Sequence, residues 1–280
     1  LMVLCIACGK EKESKVKIGI TQIVEHQSLD DVRQGVIDSL KANGYGEDKI
    51  EINYKNAQGD FGTAQMIAQE FKNTSDIVVA ISTPSAQAAV NNIKDKPIFF
   101  AAITNPESAG VLAENVTGVS DRSPVKKQVE LIKELLPEAK KIGAVYNTSE
   151  QNSFYLTDEF KKEAEKNGYE VVVKGITNVN EIASALDTLL PEIDVLYTTI
   201  DNTIASTYPL IIDKSKKANK PVIGATKSYV DQGALASEGI SDYKVGYQTG
   251  EMIVRYLKGE DIKNMKFEVV RESERYINKE

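Results

Sequence analysis

The sequence predicts an α/β protein of two similar doubly wound parallel-sheet lobes joined by a hinge. Three observations predict it. Short strings recur at one common offset: Lys17-Ile18-Gly19 returns as Lys141-Ile142-Gly143, Asn43-Gly44-Tyr45 as Asn167-Gly168-Tyr169, and Lys96-Pro97 as Lys220-Pro221. A repeat on that scale is a duplicated unit, and two packed units leave a cleft between them. The apolar runs are continuous, as in strands buried on both faces. They also alternate with stretches of helical period, the pattern of parallel sheets covered by helices.

Each element follows in order. Strands are expected at residues 16–20, 50–54, 77–81, 98–102 and 116–119, with helices between them at 29–43, 63–72 and 85–93. The second half repeats the alternation, with strands at 142–146, 170–174, 195–199, 222–225 and 234–239 and helices at 153–167, 180–190 and 207–218. Gly44 and Gly168 stand where a left-handed residue ends a helix. Thr83-Pro84 reads as a cap followed by a first-turn proline, and Pro124 and Pro209 suit first turns. An amphipathic segment at 243–257 and a strand at 267–270 have no counterpart in the repeat. Lobe one is therefore expected to span 16–121 plus 241–280 and lobe two 122–240, with hinges near Asp121 and Gly239.

Composition excludes several classes. Hydrophobic residues are 41% and charged residues 27%, an ordinary globular balance. A formal charge of −7 argues against a nucleic-acid partner, which needs a basic face. Residues 1–15 differ from the rest. Leu1–Ala7 is apolar, Cys8-Gly9 follows, and a charged run to Lys15 reads as a tether. Ile6-Ala7-Cys8 resembles the end of a bacterial lipobox, which makes Cys8 the expected lipidation site, although Cys5 stands where leucine is usual. Both cysteines lie within these first residues, so neither a disulfide framework nor a Cys-rich metal site is expected.

Ligands of open α/β sheets bind beyond the carboxyl ends of the strands. Three loops per lobe reach that edge, all rich in hydroxyls and amides. In the third-strand pair, Thr83 aligns with Asp201. Thr83 and Ser85 open a helix whose free N–H groups favour an anion, while Asp201 suits an ammonium. Together they complement an α-amino-acid zwitterion. Plain helix capping by Ser82–Ser85 and by Asp201 is the competing account, and the roles can coexist. Ser149 and Asn152 are further candidates for the carboxylate, with Gln22, Glu25, Thr104, Asn105 and Asn202 lining the rest. Phe154 and Tyr155 stand close enough in sequence to reach the ligand. His26 is the only histidine. A catalytic Glu25–His26 base is one reading and a solvent-facing or capping role the favoured one. No phosphate loop and no nucleophile elbow occurs, and neither a cofactor nor a metal is expected.

The string Lys17-Ile18-Gly19-Ile20-Thr21-Gln22-Ile23-Val24-Glu25-His26, followed by Leu29-Asp30, Arg33-Gln34-Gly35 and Gly44-Tyr45, resembles the opening of an ABC transporter substrate-binding lipoprotein family related to type I periplasmic binding proteins. Thr83-Pro84-Ser85-Ala86-Gln87-Ala88, Thr104-Asn105-Pro106, Ser149-Glu150-Gln151-Asn152-Ser153, Asp201-Asn202-Thr203 and Gly233-Ala234-Leu235-Ala236 resemble further segments of it. The family includes tryptophan- and phenylalanine-binding members. The resemblance implies a monomeric, non-enzymatic, extracytoplasmic protein of an ABC importer, lipid-anchored to the bacterial membrane or periplasmic. It also implies an amino acid ligand, aromatic by the same resemblance, and partners in a permease and a separate ATPase. A nucleoside- or sugar-binding lipoprotein of the same architecture is the alternative, and the absence of Trp weakens a sugar site.

Overall fold

The structure, a computed structural model, describes residues 14–270 and 272–279. Cys8 and most of the expected tether lie outside the described residues. The first unit runs β1 (Val16–Gln22), α1 (Gln27–Ala42), β2 (Ile50–Asn56), α2 (Phe61–Thr74), β3 (Ile77–Ile81), α3 (Thr83–Asn92), β4 (Ile98–Ala101) and β5 (Val116–Ser120). The second runs α4 (Val125–Leu135), β6 (Lys141–Asn147), α5 (Gln151–Lys166), β7 (Glu170–Ile176), α6 (Ile182–Leu189), β8 (Val195–Thr198), α7 (Asn202–Ser206), α8 (Tyr208–Lys217), β9 (Val222–Gly224), α9 (Lys227–Asp231) and β10 (Ala236–Gly239). The tail supplies α10 (Asp242–Leu257), β11 (Glu268–Val269) and β12 (Glu274–Ile277).

Two six-stranded sheets result, ordered β11-β5-β4-β3-β1-β2 and β12-β10-β9-β8-β6-β7. Apart from the first strand of each, the orders are the same, and the pairings within them are parallel. The repeated strings do the same mechanical work in each sheet. Gly19 and Gly143 lie under a following helix where a Cβ would sit 2.7 Å from the Phe71 ring and 2.5 Å from Ile193 Cδ1, respectively. The carbonyls of Pro97 and Pro221 each accept from the next strand, at 3.0 Å from Val78 N and from Leu196 N. Gly44 and Gly168 take φ of 83° and 89°, so the left-handed helix ends expected from the sequence are present in both units.

The tail divides between the sheets. Helix α10 packs on α1 so closely that a Cβ on Gly246 would meet the Val32 carbonyl oxygen at 1.9 Å, and β11 joins β5 in parallel. Strand β12 instead pairs antiparallel with β10 in the second sheet. The final strand therefore does not lie with the first lobe, where the sequence reading placed it. Its residues reach the open edge of the second sheet, and Arg275 fastens it there on Glu238 and Glu134. The chain thus passes between the sheets three times: after β5, after β10, and between β11 and β12.

Candidate functional site

The carboxyl ends of the strands in both units converge on one narrow cleft with a cavity volume of about 20 Å³. The lobes are drawn together across it. His26 Nε2 lies 3.3 Å from Asn202 Oδ1, Ser28 Oγ is 2.6 Å from Ser228 Oγ, and Gln151 Nε2 donates to Ser108 Oγ at 3.0 Å. A roomier hollow beside Lys216, Lys220 and Gly233 lies at the opposite end of the second sheet, away from these loops. Chemistry, not volume, singles out the cleft.

The wall from the first lobe is built by the ends of β3 and β4. Ser82 and Ala102 there adopt φ of 81° and 56°, a left-handed conformation costly for residues with a Cβ and characteristic of functional sites. Ser82, not Thr83, caps α3, and its side chain makes no capping bond. The hydroxyls of Ser82, Thr83 and Ser85 are buried and have no hydrogen-bond partner among the described residues. Ser82, Thr83 and Thr104 line the cleft, and Ser85 lies two residues beyond Thr83, within the first turn of α3.

The wall from the second lobe is different. Asp201 is 1% exposed and its carboxylate is already occupied. Oδ1 accepts from Ile204 N at 2.9 Å, and Oδ2 accepts from Asn147 N at 2.7 Å and from the Ser153 hydroxyl. Glu150 closes on the same helix end, accepting from Asn202 N and Thr203 N at 3.1 Å each, from Asn202 Nδ2 at 2.6 Å and from Thr203 Oγ1 at 2.8 Å. Burial first, and the neighbouring Glu150 charge second, raise the Asp201 carboxyl above its ordinary range. Asp201 therefore serves as the helix cap, the competing account given by its sequence position. Both oxygens of that carboxylate are thereby engaged by groups of its own lobe.

A carboxylate that the sequence reading assigned only to the hinge lies in the cleft instead. Asp121, just after β5, is 2% exposed, and its Oδ1 has no hydrogen-bond partner among the described residues. Burial pushes its carboxyl up to about 6, against the pull of its own backbone N–H and of Thr104. Asp242, at the start of α10, lies beside it on the cleft wall. It keeps part of its surface open, yet burial of the carboxyl and the Asp121 charge push it well above its ordinary value. The signal available in the sequence was position alone: both residues stand where the chain leaves one sheet for the other.

The other candidates separate into three groups. Asn152 and Asn202 line the cleft. Asn152 donates to Ile200 O at 3.1 Å and leaves its Oδ1 unpartnered. Gln22 is buried but away from the cleft, bonded to Val24 O, Asp30 and Arg33, so it braces the loop after β1 rather than a ligand. Glu25, Asn105 and Ser149 do not line the cleft either. Tyr54 donates to Glu25 on the surface, Asn105 Oδ1 accepts from Ser108 N in a local turn, and exposed Ser149 donates to Asn147 Oδ1. Phe154 is 58% exposed and Tyr155 packs on the core of the second lobe. His26 occupies the cap position of α1 without a capping bond, its ring directed across the cleft. Among the described residues no cluster could hold a metal ion, and no helix is long and apolar enough to cross a membrane.

Comparison with known proteins places this geometry. A tyrosine-binding protein of Clostridioides difficile is 42% identical over 97% of this chain and 82% of its own. The solved ABC domain from Streptococcus pneumonia in complex with L-Trp is 39% identical, with a TM-score of 0.91 over 95% of this chain and 92% of that one. A ligand-free, open substrate binding protein from Clostridium difficile is 43% identical, yet reaches only 0.70 over 94% and 92%. Sequence similarity does not account for that gap. The chain superposes better on the structure in complex with L-Trp than on the one described as ligand-free and open. The architecture is that of type I periplasmic binding proteins. Residues 17–280 match the family of ABC transporter substrate binding proteins, whose members bind a substrate without transforming it, and the chain belongs to that family.

Proposed function

We propose that the protein captures an aromatic α-amino acid as a zwitterion between its lobes and presents it to an ABC importer. The observation that carries the reading is a pair of opposite, unsatisfied polar sites in one cleft. The Ser82, Thr83 and Ser85 hydroxyls at the amino end of α3 suit the carboxylate, aided by the helix dipole. Asp121, with Asp242 beside it, suits the ammonium, whose charge would offset the cost of burying the carboxylate. Asn152 and Thr104 complete the polar rim. Leu29, Ala205 and Tyr229 offer an apolar wall to a side chain. The tyrosine and tryptophan named for the two relatives support an aromatic ligand.

Mechanistically the ligand acts by bridging. Held by one lobe, it favours closure because the second lobe then makes contacts absent from the open state. As a substrate-binding protein of an ABC transporter the chain acts outside the cytoplasm, with a permease and an ATPase as partners. Cys8 as a lipidated mature N-terminus would tether it to the membrane, and acylated protein detected by mass at that residue tests the tether.

The test of the ligand uses the absence of Trp from the chain. Protein stripped of ligand by unfolding and refolding is titrated with L-tryptophan while the indole alone is excited. Saturable blue-shifted emission is expected, since a buried indole emits at shorter wavelength. A thermal-shift panel of tyrosine, phenylalanine, other amino acids, nucleosides and sugars runs beside it; ligand at a hundredfold excess over Kd adds about 2.7 kcal/mol. A response to nucleosides or sugars and none to amino acids would sink the zwitterion reading.

A further inference from the structure

The two ends of the His26–Asn202 contact belong to different lobes, and each is held in place by its own lobe. On lobe two, Asn202 Nδ2 donates to Glu150 Oε2 at 2.6 Å, which fixes the amide so that its oxygen faces lobe one. That oxygen meets His26 Nε2 at 3.3 Å, so the imidazole is the donor. On lobe one, His26 sits in extended backbone at the start of α1, with its ring free of any capping bond. Its side chain is therefore committed to the other lobe.

The contact also stands at a boundary. His26 and Asn202 both line the closed cleft. Asn202 additionally lines an outer groove between Gly59, Phe61, Thr177 and Val179, formed by loops of both lobes. Asn202 is thus common to the linings of the cleft and the groove. Two further hydrogen bonds join the lobes across the cleft, a buried hydroxyl pair, Ser28 with Ser228, and an exposed rim bond, Gln151 to Ser108. Of these three, the His26–Asn202 pair is the one with a titratable group.

We propose that His26 is a latch between the lobes, its bond to Asn202 holding the cleft shut so that it governs how slowly a bound amino acid escapes. The inference rests on the proposed closure around an amino acid, and His26 acts on the ligand through the lobe opposite as a positioning residue. A bond made only after closure stabilises the closed state and not the encounter, so its loss appears in the dissociation rate. The latch is also coupled to protons. Burial holds the imidazole below its ordinary value, against the raising influence of Asn202, of Glu150 across the cleft and of Asp30 on α1. The remaining acidic groups on the cleft walls are Asp121, Asp201 and Asp242. Opening returns the ring to water and to its ordinary value. Closing therefore expels a proton from a protonated His26, and acid favours the open state.

Stopped-flow release of L-tryptophan, followed by its own fluorescence, separates the two rates. For His26→Ala the dissociation rate is expected to rise about tenfold with an association rate within about twofold of wild type, the loss of one net hydrogen bond. His26→Gln, whose amide can still donate, should recover most of the difference. Asp121 titrates in the same range and would distort an affinity profile, so the proton coupling is read on the imidazole itself. The chain has one histidine, and its ring signal in isotope-labelled wild-type protein gives one titration without and one with saturating L-tryptophan. The titration midpoint should fall on saturation. An unchanged dissociation rate in His26→Ala together with an unmoved midpoint would overturn the latch while leaving amino acid binding intact. Wild-type protein that binds neither L-tryptophan nor L-tyrosine would overturn both readings together.

Discussion

The two lobes share a backbone plan and part company at one place, the turn after the third strand. In lobe one the amino end of α3 is left open: Ser82 is held at positive φ and three buried hydroxyls lack partners. In lobe two the equivalent end, that of α7, is filled by two carboxylates, Asp201 and Glu150, which take up the free N–H groups. A duplicated fold does not duplicate chemistry. The same structural position is a place to receive a ligand in one copy and a fastening in the other, and the difference lies in whether a side chain from a neighbouring loop satisfies the helix end.

That contrast can be broken by removing the fastening. Asp201→Ala strands the N–H groups of Asn147 and Ile204 and the Ser153 hydroxyl, and should cost about 2–4 kcal/mol in chemical unfolding. Affinity in the protein that remains folded should change little. A large loss of affinity with unchanged stability would return Asp201 to the ligand.

Asp121→Asn should show the reverse pattern. Amino acid affinity is expected to fall by about 2–3 kcal/mol, roughly 30- to 150-fold, measured by titration. Stability of the ligand-free protein should not fall, and its pH dependence should flatten. The sign follows from the raised carboxyl: folded protein keeps the proton on Asp121 up to about 6, whereas the unfolded chain releases it near the ordinary value of 3.8. Between those values the folded state binds more protons, so stability drops as pH rises through that window and recovers as pH falls. A thermal melt series that shows the same slope for Asp121→Asn and wild type would argue against this role.

The twin glycines sharpen the comparison of the sheets. Gly19→Ala meets the Phe71 ring, fixed in the core, and the Ser75 hydroxyl, and should cost about 2–3 kcal/mol. Gly143→Ala meets Ile193 at its end carbon Cδ1 (2.5 Å) and its Cγ2 (3.0 Å), aliphatic groups rather than a rigid ring, and should cost about 1–2 kcal/mol. Equal costs by denaturant titration would mean that the two packings give way alike. Smallest of all, Thr83→Ala should leave stability within about 0.5 kcal/mol and weaken ligand binding by about 1 kcal/mol, since its hydroxyl has no partner to lose among the described residues.

Most strands and helices from 16 to 257 were readable because their signals are local; the short helices α7 and α9 were not read. Runs such as Ile77–Ile81 are apolar throughout, and Gly44 and Gly168 mark helix ends by backbone freedom alone. The repeat was readable for a related reason: Gly19 and Gly143 answer to the same close helix, so the same residue was kept. The rule that loops at strand ends bear ligands pointed to Thr83, Thr104, Asn152 and Asn202, which line the cleft. Gln22, Glu25, Asn105 and Ser149 satisfied that rule equally well, and their local partners were invisible to it. Strand β12 escaped notice because its short, polar sequence Glu274-Arg275-Tyr276-Ile277 has no apolar run; it is a strand because an edge is there to receive it.

By itself the sequence determined the alternating elements, their duplication and the family, since periodicity, glycine and short motifs act between near neighbours. Only the tertiary structure decided which carboxylate is free. Asp201 and Asp121 are alike as residues, both buried at the ends of strands. One meets the N–H of Asn147 and the hydroxyl of Ser153, brought from another strand and helix, while the other is left with an oxygen that has no hydrogen-bond partner among the described residues. Whether a buried charge is satisfied depends on groups distant in the chain, and folding is what brings them together.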